Sequence, residues 1–318
     1  MAPKRTSKPS APTGDPSYAI QRIFDGWYND ANYHAFLDLL ETVVANAQTD
    51  GRPLAAESFF AGVGPDPLKV RARVDRPYTR EKLARALALV VENARTPLYR
   101  RASNPDALGT PYCMLKSSKA LGQFFTPWSV SRATAMMMAD VEGDLLHRVR
   151  EAMEKAGHPL PPGRLRAEDA FAQYVGTFAP YFEPFRMLEP CMGAGSMLLA
   201  FASQVPPWAL AVGAVQITGI DLDPRAVQMA RINCLLFGVP ARLYCGNSLL
   251  MTDLKALRLT ARLMARSDWR WRSGTQRRLA SWPRVSSGTR PTFRLLPNRT
   301  RRPSRPSPTG RNLSRPLP

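Results

Sequence analysis

Three groups of residues between Glu189 and Ser248 carry the chemistry open to this sequence. The run Glu189-Pro190-Cys191-Met192-Gly193-Ala194-Gly195 sets a carboxylate and two glycines between an apolar stretch and an apolar helix. Glycines in such a turn let backbone approach a ligand without side-chain collision. The helix behind it presents unpaired N–H groups at its positive end. Asp221, closing Gly219-Ile220-Asp221, is placed to accept hydrogen bonds from a ribose diol. Asn247, in Gly246-Asn247-Ser248, offers a side-chain amide where an adenine ring can lie. The pyrophosphate fingerprint G-x-G-x-x-G is not formed, because its third glycine position is Leu198, so nicotinamide and flavin cofactors are disfavoured. A glycine turn preceded by Glu-Pro fits a nucleoside ligand without phosphates. A structural strand–helix turn accounts for the glycines, but not for all three groups together. Asp223 reads as a helix cap rather than a ligand, and Phe124 and Phe125 are readable simply as core.

The elements that must hold these groups follow from local pattern. Phe185–Leu188 is a short apolar run, Met197–Phe201 an apolar helix, and Ala214–Ile220 a strand ending at Asp221. Asp223-Pro224 opens a helix carried by Val227, Ala230, Ile232, Leu235 and Leu236, with Gly238 just past its end. Ala241–Cys245 reads as a third strand. Strand, glycine turn, helix, strand, acid, helix, strand is the opening half of a doubly wound α/β sheet, whose ligands sit outside the carboxyl ends of the strands.

Upstream, Tyr33, Phe36, Leu37, Leu40, Val43 and Val44, then Leu83, Leu87, Val90, Val91 and Ala94, recur at helical spacing. Pro53, Pro65, Pro67 and Pro77 separate the helices. Residues 1–17 read as a disordered leader without a secretory signal, 18–103 as a helical N-terminal domain, and 104–252 as a partial α/β domain. Thr126 and Pro127 predict a helix start, as N-cap and first residue, with Val130, Ala133, Met137 and Met138 on an ordinary buried face. Residues 143–183 read as further helices joined by the turn at 159–163.

Cys113, Cys191, Cys234 and Cys245 form no C-x-x-C pair, which argues against zinc and disulfides and for reduced thiols in a cytoplasmic protein. No charge occurs in the 31 positions between Glu189 and Asp221, but Pro206-Pro207 and four glycines break this stretch below the length of a membrane span. The net charge of +19 is uneven: residues 253–318 hold 17 basic and two acidic groups, leaving the remaining 252 residues a net of only +4.

Four motifs in order, Gly122–Pro127 (GQFFTP), Glu189–Gly195 (EPCMGAG), Gly219–Pro224 (GIDLDP) and Gly246–Ser248 (GNS), resemble the S-adenosylmethionine-binding motifs of adenine-specific DNA methyltransferases, the type I modification subunits among them. The lead-in D-x-L-G-x-x-Y, Asp106–Tyr112, is similar too, and the resemblance spans roughly residues 104–250. GQFFTP is its specific part, and disfavours RNA or protein as substrate. The resemblance implies methyl transfer from S-adenosyl-L-methionine to adenine N6 in DNA, no metal, and a restriction–modification or mobile-element setting with room for a specificity or restriction subunit. It implies that Gln123, Phe124, Thr126 and Pro127 line the methionine end of the cofactor. Glu189, Gly193, Gly195 and Ser196 form the loop beneath it, and Asp221 holds the ribose. Leu222 packs on the adenine, and Asn247, where the family more often has Asp, accepts a hydrogen bond from the exocyclic amine. The fold implied is an incomplete Rossmann-like methyltransferase sheet behind a helical N-terminal domain.

The family's catalytic Asn/Asp-Pro-Pro-Tyr/Phe, whose polar groups accept from the target amine while the ring stacks on the flipped base, does not occur in these 318 residues, so no catalytic residue is assigned. Pro206-Pro207-Trp208, the one Pro-Pro-aromatic triplet, follows Val205 and precedes Asp221. After Thr252 the α/β pattern gives way to a segment rich in Arg, Pro and Ser that reads as a disordered tail. One reading is a shifted or truncated reading frame near residue 250, leaving a fragment that binds cofactor or nucleic acid without methylating. The other is a genuine basic arm, with Trp269, Trp271 and Trp282 stacking on bases among phosphate-binding arginines. The frame break is favoured, since local composition and the family pattern fail at one point.

Overall fold

The computed structural model describes residues 16–23, 30–50, 77–98, 103–113, 125–138, 140–161, 163, 165–251, 254–257 and 259. Gln123, Phe124, residues 1–15 of the expected leader and the tail from 260 onward lie outside these. The described helices are α1 (Pro16–Ile23), α2 (Asp30–Asp50), α3 (Pro77–Ala94), α4 (Gly109–Cys113), α5 (Trp128–Met138), α6 (Val141–Lys155) and α7 (Ala167–Phe178). The 3₁₀ turn Ala179–Tyr181 then leads through β1 (Phe185–Glu189), α8 (Ser196–Gln204), α9 (Pro207–Ala211), β2 (Val215–Asp221), α10 (Pro224–Phe237), β3 (Ala241–Cys245) and β4 (Lys255–Leu257). The uncharged stretch after Glu189 thus folds as a turn, two short helices and a strand, and among the described residues no helix is long and apolar enough to cross a membrane.

β1, β2 and β3 pair in parallel, in that spatial order. Met187, Ile217 and Ala241 share one row, and Glu189, Gly219 and Leu243 the next. Two successive crossovers in the same direction put α8 and α10 on one face of the sheet, and the two helices touch. Rows on the other face carry Arg186, Leu188, Gln216, Thr218, Arg242 and Tyr244, with Leu188 54% exposed. Strand order advances outward without reversing, so the sheet is mixed α/β and mostly parallel, and β1 is an edge among the described residues.

β4 corrects one expectation. The sheet does not end with the change in composition after Thr252: Lys255–Leu257 pairs antiparallel with β3, Leu257 opposite Leu243 and Lys255 opposite Cys245. A three-residue return strand needs only backbone partners on a free edge, so it forms without the aliphatic run that a central parallel strand requires.

α5 corrects a second. Pro127 is not its first residue: the helix begins at Trp128, and the N–H groups of Val130 and Ser131 donate to the Pro127 carbonyl. Its buried side is Trp128, Ser131 and Ala135, while Val130, Met137 and Met138 are 51%, 86% and 76% exposed. One stripe of so short a helix meets α8, and the bulkiest side chain, Trp128, takes it.

The upstream helices use the residues expected. Tyr33, Phe36, Leu37, Leu40, Val43 and Val44 of α2 and Leu83, Leu87, Val90 and Val91 of α3 are buried in a core continuous with that of the sheet. α2 lies along α10, where Arg225 pairs with Asp38 at 2.5 Å, Arg231 pairs with Glu41, and Gln228 donates to both acids. These pairs are partly exposed, so they set register more than stability.

Candidate functional site

The carboxyl ends of β1, β2 and β3 come together around the glycine turn. At the end of β1, Cys191 N–H donates to Glu189 Oε1 at 3.1 Å. Met192 N–H reaches across to the Ile220 carbonyl, and Gly195 N–H closes the turn on the Met192 carbonyl at 2.8 Å. Gly193 and Gly195 both have left-handed backbone, φ 53° and 89°, which favours glycine. Packing enforces the choice as well: a Cβ on Gly195 would lie 3.3 Å from Ala230 Cα in α10, and one on Gly193 would meet the Phe125 ring. Gly195 leaves the start of α8 without a side-chain cap. Ser196, the first residue of α8, is 6% exposed and turned into the fold.

Asp221 fastens the turn to β2. Its Oδ2 accepts from Gly193 N–H at 2.8 Å and its Oδ1 from Asp223 N–H at 2.9 Å, which leaves a lone pair on each oxygen for a ligand hydroxyl. Burial raises its pKa above the usual carboxylate range, with Asp223's charge adding to the rise and the N–H groups of Asp223, Gly193 and Leu222 opposing it. Leu222, beside it, is 70% exposed and offers a flat aliphatic face to solvent. Asp223 caps α10 by accepting from Arg225 N–H, and its other oxygen accepts from the Tyr112 hydroxyl at 2.6 Å. At the end of β3, Asn247 Oδ1 accepts from Leu249 and Leu250 N–H at 2.9 and 3.3 Å. The turn therefore occupies the amide oxygen, and Nδ2 is the part left for a ligand.

Thr126 and Pro127 are exposed immediately before α5. Their neighbour Phe125, readable from sequence simply as core, is half-buried with its ring against Gly193 on one side and Gly109 on the other. It stacks on Tyr112 at 6.0 Å and 11°. Three of the four fixed residues of the lead-in bear on this site directly: Asp106 accepts from Leu108 and Gly109 N–H, Gly109 lies under Phe125, and Tyr112 holds Asp223. The D-x-L-G-x-x-Y spacing was the signal for that contact. Asn233, which donates to the Ala194 carbonyl at 2.9 Å, has no comparable signal, being one polar residue in an apolar helix.

A turn fastened to a strand-end acid, with an exposed apolar residue beside it, is what the family comparison meets. Residues 182–280 match the family model described as N-6 DNA Methylase. The match covers about a third of the chain. The matched stretch contains Glu189–Gly195, Gly219–Pro224 and Gly246–Ser248, begins after GQFFTP, and continues past Thr252 into the Arg-rich segment. Members of this family use S-adenosylmethionine and methylate adenine in DNA. Neither the curated proteins nor the solved structures yielded a match.

The strand ends within the matched stretch present a carboxylate with lone pairs to spare, an exposed leucine, an amide donor and an uncapped helix start. Among the described residues no three His, Cys, Asp or Glu side chains converge as a metal site.

Proposed function

We propose that this chain binds S-adenosyl-L-methionine at the carboxyl ends of β1, β2 and β3, as the cofactor-binding part of an adenine-specific DNA methyltransferase. The observation that carries the reading is the Asp221 carboxylate, shared between Gly193 and Asp223 N–H with an acceptor position open on each oxygen. Asp221 receives the ribose hydroxyls and Leu222 covers one adenine face. Asn247 Nδ2 donates to the adenine edge, a role its occupied Oδ1 leaves to it. Glu189, Gly193, Gly195 and Ser196 shape the loop below, while Thr126 and Pro127, with Gln123 and Phe124, border the methionine end.

When bound, the cofactor supplies an electrophilic methyl group on a sulfonium. The protein's own part in transfer would be to hold the target amine, through an acceptor that raises its nucleophilicity and a ring that stacks on the flipped base. The Asn/Asp-Pro-Pro-aromatic sequence for that task is missing from this chain, so it holds cofactor without transferring methyl groups by itself. DNA is its partner by family, and a specificity or restriction subunit would share the complex.

Calorimetric titration with S-adenosylmethionine and a tritiated-methyl assay on unmethylated DNA test both halves of this reading. The expected result is one bound cofactor and no methyl incorporation. Turnover would overturn the reading that this chain does not transfer methyl groups by itself, and a folded protein that binds nothing would overturn the pocket.

A further inference from the structure

Asn233 stands in the middle of α10, 1% exposed. Its Nδ2 donates to Asp106 Oδ1 at 3.0 Å and to the Ala194 carbonyl at 2.9 Å, while its Oδ1 is buried without a hydrogen-bond partner. For stability alone this is a poor choice, because an orphaned buried acceptor is penalised and an apolar residue of the same shape is not. The amide contributes geometry instead. Ala194 lies between the two glycines of the cofactor loop, and Gly195 rests on Ala230, three residues before Asn233 on the same side of α10. Asp106, 2% exposed, uses its carboxylate to gather Leu108 N–H, Gly109 N–H and Asn233, and Gly109 backs the Phe125 ring that lies against Gly193. The lead-in turn, α10 and the loop are thereby joined through two side chains.

We propose that Asp106 and Asn233 are positioning residues of the cofactor loop, holding the Ala194 carbonyl on α10 so that Gly193 N–H stays on Asp221. The proposal rests on the cofactor reading of this site. Neither residue touches the ligand, so both act on affinity through the loop.

The test is Asn233→Leu in the full chain, which removes both donors and the orphaned acceptor at nearly constant volume. Relief of the orphaned Oδ1 offsets the Ala194 carbonyl and Asp106 contact left without their donor, so its thermal midpoint should fall by at most a few degrees. Its dissociation constant for S-adenosylmethionine should rise about tenfold or more, the scale of a lost hydrogen bond with its geometry. Amide hydrogen exchange over Met192–Ser196 should be faster without any ligand. Lower stability with native affinity and native loop exchange would reduce Asn233 to a structural residue and overturn the proposal. Asp106→Ala carries the same test if Asn233→Leu does not fold: it removes the oxygen that receives Leu108 N–H, Gly109 N–H and Asn233, and should loosen the loop likewise. If the native chain binds no cofactor, the cofactor reading fails, and loop exchange alone decides the positioning role, native rates overturning it and faster rates supporting it.

Discussion

Replacing Gly195 with alanine isolates what holds the glycine turn on α10. Two penalties are expected. Left-handed backbone disfavours a Cβ by about 1–2 kcal/mol, and φ at Gly195 is 89°. The new methyl would also stand 3.3 Å from both Ala230 Cα and Ala230 Cβ, and backbone in a buried helix yields little. Overpacking of this kind costs about 1–3 kcal/mol, while the stiffer unfolded chain returns about 0.4–1 kcal/mol. Gly195→Ala should therefore destabilise by about 2–4 kcal/mol. Gly157 supplies the control: its φ is 75°, and a Cβ there meets nothing within 4 Å. Gly157→Ala should lose only about 0.5–1 kcal/mol, the conformational part alone. Urea unfolding, followed by circular dichroism and tryptophan fluorescence to confirm coincident transitions, measures both. Adding Ala230→Gly completes a double-mutant cycle, in which relief of the contact should appear as coupling of at least about 0.5 kcal/mol. If the two alanine variants fall within about 0.5 kcal/mol of each other, the loop does not rest on α10 as described.

Three further outcomes are expected. Asp221 has a raised pKa from burial, so the fold favours its neutral form: its stability contribution is full below the unfolded carboxylate value and is lost as pH rises through the folded one. Cofactor affinity runs the other way, falling as pH drops through that raised value, and a calorimetric profile that stays flat from neutral pH down to the onset of acid unfolding would count against a ribose role for the carboxylate. Leu222→Asp should leave the urea midpoint nearly unchanged, the site being 70% exposed, yet weaken S-adenosylmethionine binding about tenfold or more, the worth of an apolar face against adenine. Burial pushes the Cys234 thiol up to about 12, whereas Cys191 is exposed. Iodoacetamide followed by mass spectrometry should therefore mark Cys191 in the native protein and Cys234 only after denaturation, and native labelling of Cys234 would contradict its packing.

What was legible in advance was whatever a few consecutive residues settle among themselves. Asp223, Pro224 and Gly238 bound α10 as expected because a cap, a fixed φ and a left-handed C-terminal residue are local properties. The three parallel strands followed from short apolar runs ending in Glu189, Asp221 and Cys245, and their shared direction from the helices between them.

Tertiary structure decided what depends on a partner distant in the chain. Periodicity marks α5 as a helix but does not choose between its stripes, and contact with α8 buried Trp128 rather than the methionines. β4 pairs antiparallel because the chain turns back onto a free edge, which no residue within Lys255–Leu257 encodes. Asn247 spends its acceptor on the turn that follows it, so its Nδ2 donor, not its oxygen, remains to face other groups. Asp106 and Asn233 are 127 positions apart, and only the packed core makes them neighbours. The motifs alone determined that a nucleoside-type cofactor site was to be sought at three strand ends. Contacts across the chain decided how the loop at that site is held, because hydrogen bonds between buried groups require both partners in place.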